Sequence, residues 1–238
     1  MYKTAPKTIL ANFPLFLFMA AFSVILQLLQ DHDVASGGLI ATQIFLWIFL
    51  MLACLQTMLL GVAPRMWKSA PDPQKQSAQS AFIRAGFVIQ GIALAVSLVL
   101  AVYIGKHYKL SPEARIAARL GLVLLPEMAA LLLFGSALPA ALSGSGVGLK
   151  PALKRAPRMA PALIWRLLLG QWVVFVAIFV ASTVLAYLWE SVLKLPSGKI
   201  TTGNLFPLVP LFVNEFLALI PIAFTAAALA KAWQDKAA

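Results

Sequence analysis

Charge is what this sequence has least of. Of its 238 residues only 11% are charged and only eight are acidic, against 61% that are hydrophobic. So few ionic side chains cannot clothe a soluble globule of this length, and the mean hydropathy of +0.89 directs the reading to lipid. Cysteine is nearly as scarce. The single Cys54 can form neither a disulfide within the chain nor a cysteine zinc site, and it says nothing of compartment. Long polar stretches are missing too: no loop reaches the ~100 residues of a separate domain, so an attached ATPase, kinase or hydrolase domain is not expected. The two histidines, His32 and His107, close the first and third apolar runs on the same side. They lie in charged loop ends and not at a depth suited to a haem, so no metal and no cofactor is expected.

What is present is a series of apolar runs, each near the roughly 20 residues that a spanning helix needs. They predict an all-α, polytopic integral membrane protein, a single transmembrane domain over 1–238. Its six helices fall at about 9–29, 39–62, 81–105, 118–142, 161–189 and 205–230. The first run is longer than the ~7–15 residues of a signal-peptide core and lacks a small-residue cleavage site before Asp31, so it is read as a helix, with Pro14 near its start. Pro71 and Pro73 oppose regular structure in a loop at 63–80, and a second loop is expected at 143–160. Ser111-Pro112-Glu113 has the form of a helix start: a capping hydroxyl, a proline at the first helical position and an acid at the positive end of the dipole. No internal repeat joins the two halves.

The cations orient the bundle. On the side of both termini lie Lys3, Lys7, Arg65, Lys68, Lys75, Arg84, Lys150, Lys154, Arg155, Arg158, Arg166, Lys231 and Lys236; on the other lie Lys106, Lys109, Arg115, Arg119, Lys194 and Lys199. The excess predicts both termini in the cytoplasm. Trp67, Trp165 and Trp233 then fall near the inner boundary, and Tyr103, Tyr108, Tyr187 and Trp189 near the outer one, as interfacial aromatic residues should. A formal net charge of +11 would suit nucleic acid, but the cations flank apolar spans and form no basic domain, so no nucleic acid is expected. The dense segment of Lys150, Lys154, Arg155, Arg158 and Arg166, interrupted by prolines, is expected to contact anionic lipids of the phospholipid bilayer, at about 1 kcal/mol per cation near the surface.

Polar side chains inside the spans are few. Counted from the predicted helix ends at 1.5 Å per residue, Gln90, Glu127, Gln171, Asn214 and Glu215 come out roughly 13–15 Å deep, near the bilayer centre. Pro126, before Glu127, lacks a backbone donor and leaves a carbonyl open in the preceding turn. Such a layer either lines a cavity for a polar substrate, proton or lipid headgroup, or hydrogen-bonds helix to helix at about 0.6–2 kcal/mol per contact. The second reading weighs more, because no lysine or arginine is predicted at that depth. Gly144-Ser145-Gly146-Val147-Gly148-Leu149-Lys150-Pro151 lacks the last glycine and the hydroxyl of a phosphate loop and follows a membrane helix, so it reads as a hinge. No histidine lies within the spans to activate a serine, and no catalytic residue is assigned. Ala137 with Ala141, and Ala226 with Ala230, have the spacing of close helix contacts.

Leu138-Pro139-Ala140-Ala141, the basic linker from Ala152 to Arg158, and Trp165-Arg166-Leu167-Leu168-Leu169-Gly170 together resemble bacterial six-helix inner-membrane proteins. That group includes the membrane domain found beside glycerophosphodiester phosphodiesterases. The likeness covers the fourth and fifth helices. No phosphodiesterase domain is present in the 238 residues, so that activity is not carried over. The resemblance implies a bacterial inner-membrane location and a non-catalytic, lipid-associated or scaffolding role. The leading expectation is therefore a non-enzymatic accessory or scaffold protein that meets anionic lipids and another membrane protein. The rival is a small transporter or channel using Glu127, Asn214 and Glu215, and a weaker third is an enzyme acting on lipid-linked substrates with the two acids.

Overall fold

In hydrocarbon a backbone must satisfy its own hydrogen bonds, so apolar runs of this length close into helices. The computed structural model describes residues 3–31, 38–61, 73–108, 111–145, 148–188 and 208–236. Among them the regular elements are α1 (Thr4–Ala11), α2 (Phe13–Asp31), α3 (Gly38–Leu60), α4 (Pro73–His107), α5 (Pro112–Phe134), α6 (Ala137–Ser143), α7 (Leu149–Leu167), a π-helical turn (Leu168–Trp172), α8 (Val173–Tyr187) and α9 (Leu208–Lys236). The described residues contain helix and no strand. Among the described residues four helical stretches are long and apolar enough to cross a membrane: Ala41–Leu60, Gln76–His107, Leu149–Leu185 and Leu208–Asp235. Two bent pairs raise the number to as many as six if each pair counts as one span. They are Thr4–Ala11 with Phe13–Leu29, bent by 75°, and Leu124–Phe134 with Ala137–Ser143, bent by 44°.

The helices depart from the expected limits in ways that have local causes. The first predicted helix, 9–29, is two elements. Pro14 cannot donate to the carbonyl four residues back, and Asn12 takes over the corner. Its backbone N–H reaches the Thr8 and Ile9 carbonyls at 3.0 and 3.2 Å, while its own carbonyl accepts from Leu15 and Phe16 at 2.9 and 3.1 Å. α4 starts at Pro73, at a residue expected to lie in a loop, because proline is well placed at a first helical position; residues 62–72 lie outside those described. α5 begins at Pro112, as the Ser-Pro-Glu signal predicts.

The expected loop at 143–160 is corrected most. Only its first part, around Gly144 with φ 69° and Gly148 with φ 129°, turns the chain, and from Leu149 it is helical.

Contacts divide the chain into two compact units, Met1–Pro64 with Arg166–Ala228, and Arg65–Trp165 with Leu229–Ala238. In the first, Phe16, Ile48, Leu50, Met51 and Leu55 are fully buried, and Phe13 and Phe16 meet Phe216 edge-on with ring centroids 5.8 and 6.3 Å apart. In the second, Phe82, Ile89, Leu131, Leu138, Met159 and Leu163 form the core. Gly135, at the bend between α5 and α6, is required by closeness: a Cβ there would stand 2.3 Å from the Leu131 carbonyl oxygen and 2.9 Å from Leu229 Cδ2. The four alanines at small-residue spacing, Ala137, Ala141, Ala226 and Ala230, are all buried.

Candidate functional site

The most strongly two-faced element is α7. Ala152, Ala156, Met159, Leu163 and Leu167 recur at three- and four-residue intervals and are buried, which is one stripe of a helix. Lys150, Lys154, Pro157, Arg158, Pro161 and Trp165 lie on the other side and are exposed. The prolines explain why the helix survives them. Both stand on the exposed face, so the carbonyls they leave open, those of Leu153 and Pro157, turn outward where water or headgroups can reach them. Trp165 is 67% exposed and Leu153 49%. The exposed face of α7 thus mixes cations with a large tryptophan and a leucine.

Of the five cations expected at the lipid surface, Arg155 and Arg166 are half-buried. Arg155 turns to the side of α7: its Nε donates to Ser136 Oγ at 3.3 Å, and its guanidinium lies 5.3 Å from the centre of the Trp233 ring. The buried Ser136 hydroxyl donates in turn to the Ala152 carbonyl at 3.5 Å. Arg155 thus ties α7 to the start of α6 and the end of α9, all within the second unit. Lys150, Lys154 and Arg158 keep their exposure.

The polar residues expected at one level fall in both units, Gln90 and Glu127 in the second and Gln171, Asn214 and Glu215 in the first. Within the first unit two of them hold helices together. Gln27 Nε2 donates to Glu215 Oε1 at 2.5 Å, and the Ser23 hydroxyl also hydrogen-bonds this carboxyl. Ser182 Oγ donates to Asn214 Oδ1 at 2.7 Å. Gln171 lies in the π-helical turn, 5% exposed, and its Oε1 has no hydrogen-bond partner among the described residues, as is true of Gln90 Nε2 in the second unit. Near the start of α2, Asn12 Nδ2 reaches both the Thr8 carbonyl at 2.8 Å and Thr57 Oγ1 of α3 at 3.1 Å. Sequence reasoning passed over Ser23, Gln27 and Ser182. Gln27 lies two residues before the predicted helix end at 29, outside a search for groups near the bilayer centre.

The open carbonyl caused by Pro126 is accounted for. It belongs to Leu122, four residues back, and Ser97 Oγ of α4 donates to it at 2.6 Å. The same hydroxyl lies 2.8 Å from the Ala93 carbonyl, so one proton serves two acceptors. Glu127, next to the proline, is half-buried. His32 lies outside the described residues, and His107 packs against Tyr103 with ring centroids 4.6 Å apart. Among the described residues no three His, Cys, Asp or Glu side chains are grouped to hold a metal ion.

Two clefts accompany these groups. One of about 440 Å³ lies between α2 and the start of α9, lined by Ala21, Val24, Ile25, Leu208, Val209, Phe212 and Val213. A second, of about 210 Å³, lies between α4 and the start of α7, lined by Ala81, Arg84, Ala85, Val88, Gly148 and Leu149. Comparison with protein-family models, with characterised proteins and with solved structures finds no match to this chain.

Proposed function

We propose that this chain is a non-enzymatic accessory or scaffold protein of a bacterial inner membrane, a six-span bundle with both termini cytoplasmic, which holds anionic phospholipid along the exposed face of α7. The observation that carries the reading is α7 itself. One face is buried among apolar neighbours, while Lys150, Lys154 and Arg158 stand on the other beside the exposed Leu153 and Trp165. Each cation near an anionic surface contributes about 1 kcal/mol. The role agrees with the one implied by the resemblance to membrane domains found beside glycerophosphodiester phosphodiesterases.

The intramembrane polar groups support a structural part in this role. Glu215 is occupied by Gln27 and Ser23, and Asn214 by Ser182, so these groups join helices within their unit. Gentle solubilisation followed by copurification tests the proposal. The protein is expected to carry anionic phospholipid together with a second membrane protein. A chain that emerges alone and free of lipid would contradict it.

A further inference from the structure

The cleft between α4 and the start of α7 has a chemistry that the α7 surface does not share. Ala81, Arg84, Ala85 and Val88 recur at intervals of three, one and three residues, so they form one face of α4. Arg84 is also the last charge before the uncharged run from Ala85 to Gly105, which at 1.5 Å per residue is about 30 Å long, the thickness of a bilayer's hydrocarbon. That places Arg84 at headgroup level and Val88 one helical turn into the acyl chains. The small side chains of Ala81 and Ala85 leave the room, and Gly148 and Leu149 close the other wall. Arg84 is exposed, and its Nε donates to the Ser80 carbonyl of its own helix at 3.3 Å. Lys150, also exposed, follows Leu149 directly. The first backbone bond of α7 runs from the Ala152 N–H to the Gly148 carbonyl, so the amides of Leu149 and Lys150 precede the helical ladder and add to the positive character of this end.

We infer that this cleft is a binding site for one anionic phospholipid, with its phosphate at the Arg84 guanidinium and its acyl chain descending past Ala85 and Val88. Cation and apolar wall lie in the order, and at the depth, in which a phospholipid presents phosphate and chain. A bare anion would leave the apolar wall empty, and an uncharged amphiphile would leave Arg84 unmatched. The inference rests on the membrane reading of the chain but differs from the α7 surface in being one open cleft with an apolar wall instead of a field of separate charges.

Native mass spectrometry of the full chain released from mild detergent tests it, with phosphatidylglycerol and phosphatidylcholine added in equal amounts. One phosphatidylglycerol per chain is expected at the cleft, beyond the lipid held on the α7 face. Arg84→Gln should lower the retention of that one lipid about fivefold, the effect of one interfacial cation, and Ala81→Trp, which fills the cleft from a half-exposed position, should abolish it while leaving the lipid on the α7 face. Millimolar inorganic phosphate should not displace the lipid. Displacement would mark a simple anion site and overturn the assignment. Phosphatidylglycerol retained equally by wild type, Arg84→Gln and Ala81→Trp would overturn the cleft site while leaving the α7 surface standing. A wild-type chain that retains no anionic lipid would overturn both.

Discussion

Ser97 supplies to α5 the hydrogen bond that Pro126 cannot make. The Leu122 carbonyl accepts from its hydroxyl at 2.6 Å, and without that donor it would be a lone acceptor between packed helices. Ser97→Ala is therefore expected to lower stability by about 1–2 kcal/mol, measured by reversible unfolding in mixed micelles. Combined with Pro126→Ala, which restores a backbone N–H facing Leu122, the same change should cost close to nothing; equal costs in both backgrounds would refute the pairing. Glu215→Leu strands the Gln27 amide and should cost about 0.6–2 kcal/mol, whereas Glu215→Gln keeps an acceptor and should cost less. Gly135→Ala drives a methyl into a backbone carbonyl and Leu229, and the same assay should register about 1–3 kcal/mol of overpacking. At this scale the sequence is partly legible. Pro126 announces an open carbonyl through its missing donor, but which serine closes it depends on how α4 packs on α5. Glu215 stands out as an acid in an apolar run, yet Gln27 becomes its partner only when α2 and α9 are adjacent.

α7 shows where counting prolines misleads. Pro151, Pro157 and Pro161 in a lysine- and arginine-rich stretch suggest an irregular linker, but Pro151 lies in the first turn, where a missing N–H costs little. The other two stand on the exposed face, opposite the buried stripe. The period of Ala152, Ala156, Met159 and Leu163 was the better guide, and its alanines are too small to weigh heavily on a hydropathy scale. Hydrogen exchange distinguishes the two readings. The amides of 152–160, prolines apart, should exchange slowly in detergent, and exchange as fast as in an unstructured peptide would contradict the helix. α5 was more legible. Its start at Pro112 follows from local chemistry alone, whereas its break before α6 depends on the close approach of Gly135 to Leu229, a residue far away in the chain.

Across the whole molecule, composition carries the helical class, since a chain with 11% charge and long apolar runs has few other ways to satisfy its backbone in lipid. The number of crossings is less legible, because a bend such as the 75° turn at Asn12 decides whether a segment spans or lies along the interface. In the proposed role α7 presents cations to anionic lipid while the polar groups within the apolar helices fasten them together. Lys150→Gln, Lys154→Gln and Arg158→Gln combined remove that charge without touching the buried face. The most direct test is the anionic phospholipid that copurifies with this triple variant and with wild type, quantified per chain after identical gentle solubilisation. The account predicts a loss of well over half the anionic lipid, with thermal stability unchanged in a zwitterionic detergent. Equal anionic lipid on both proteins would contradict it.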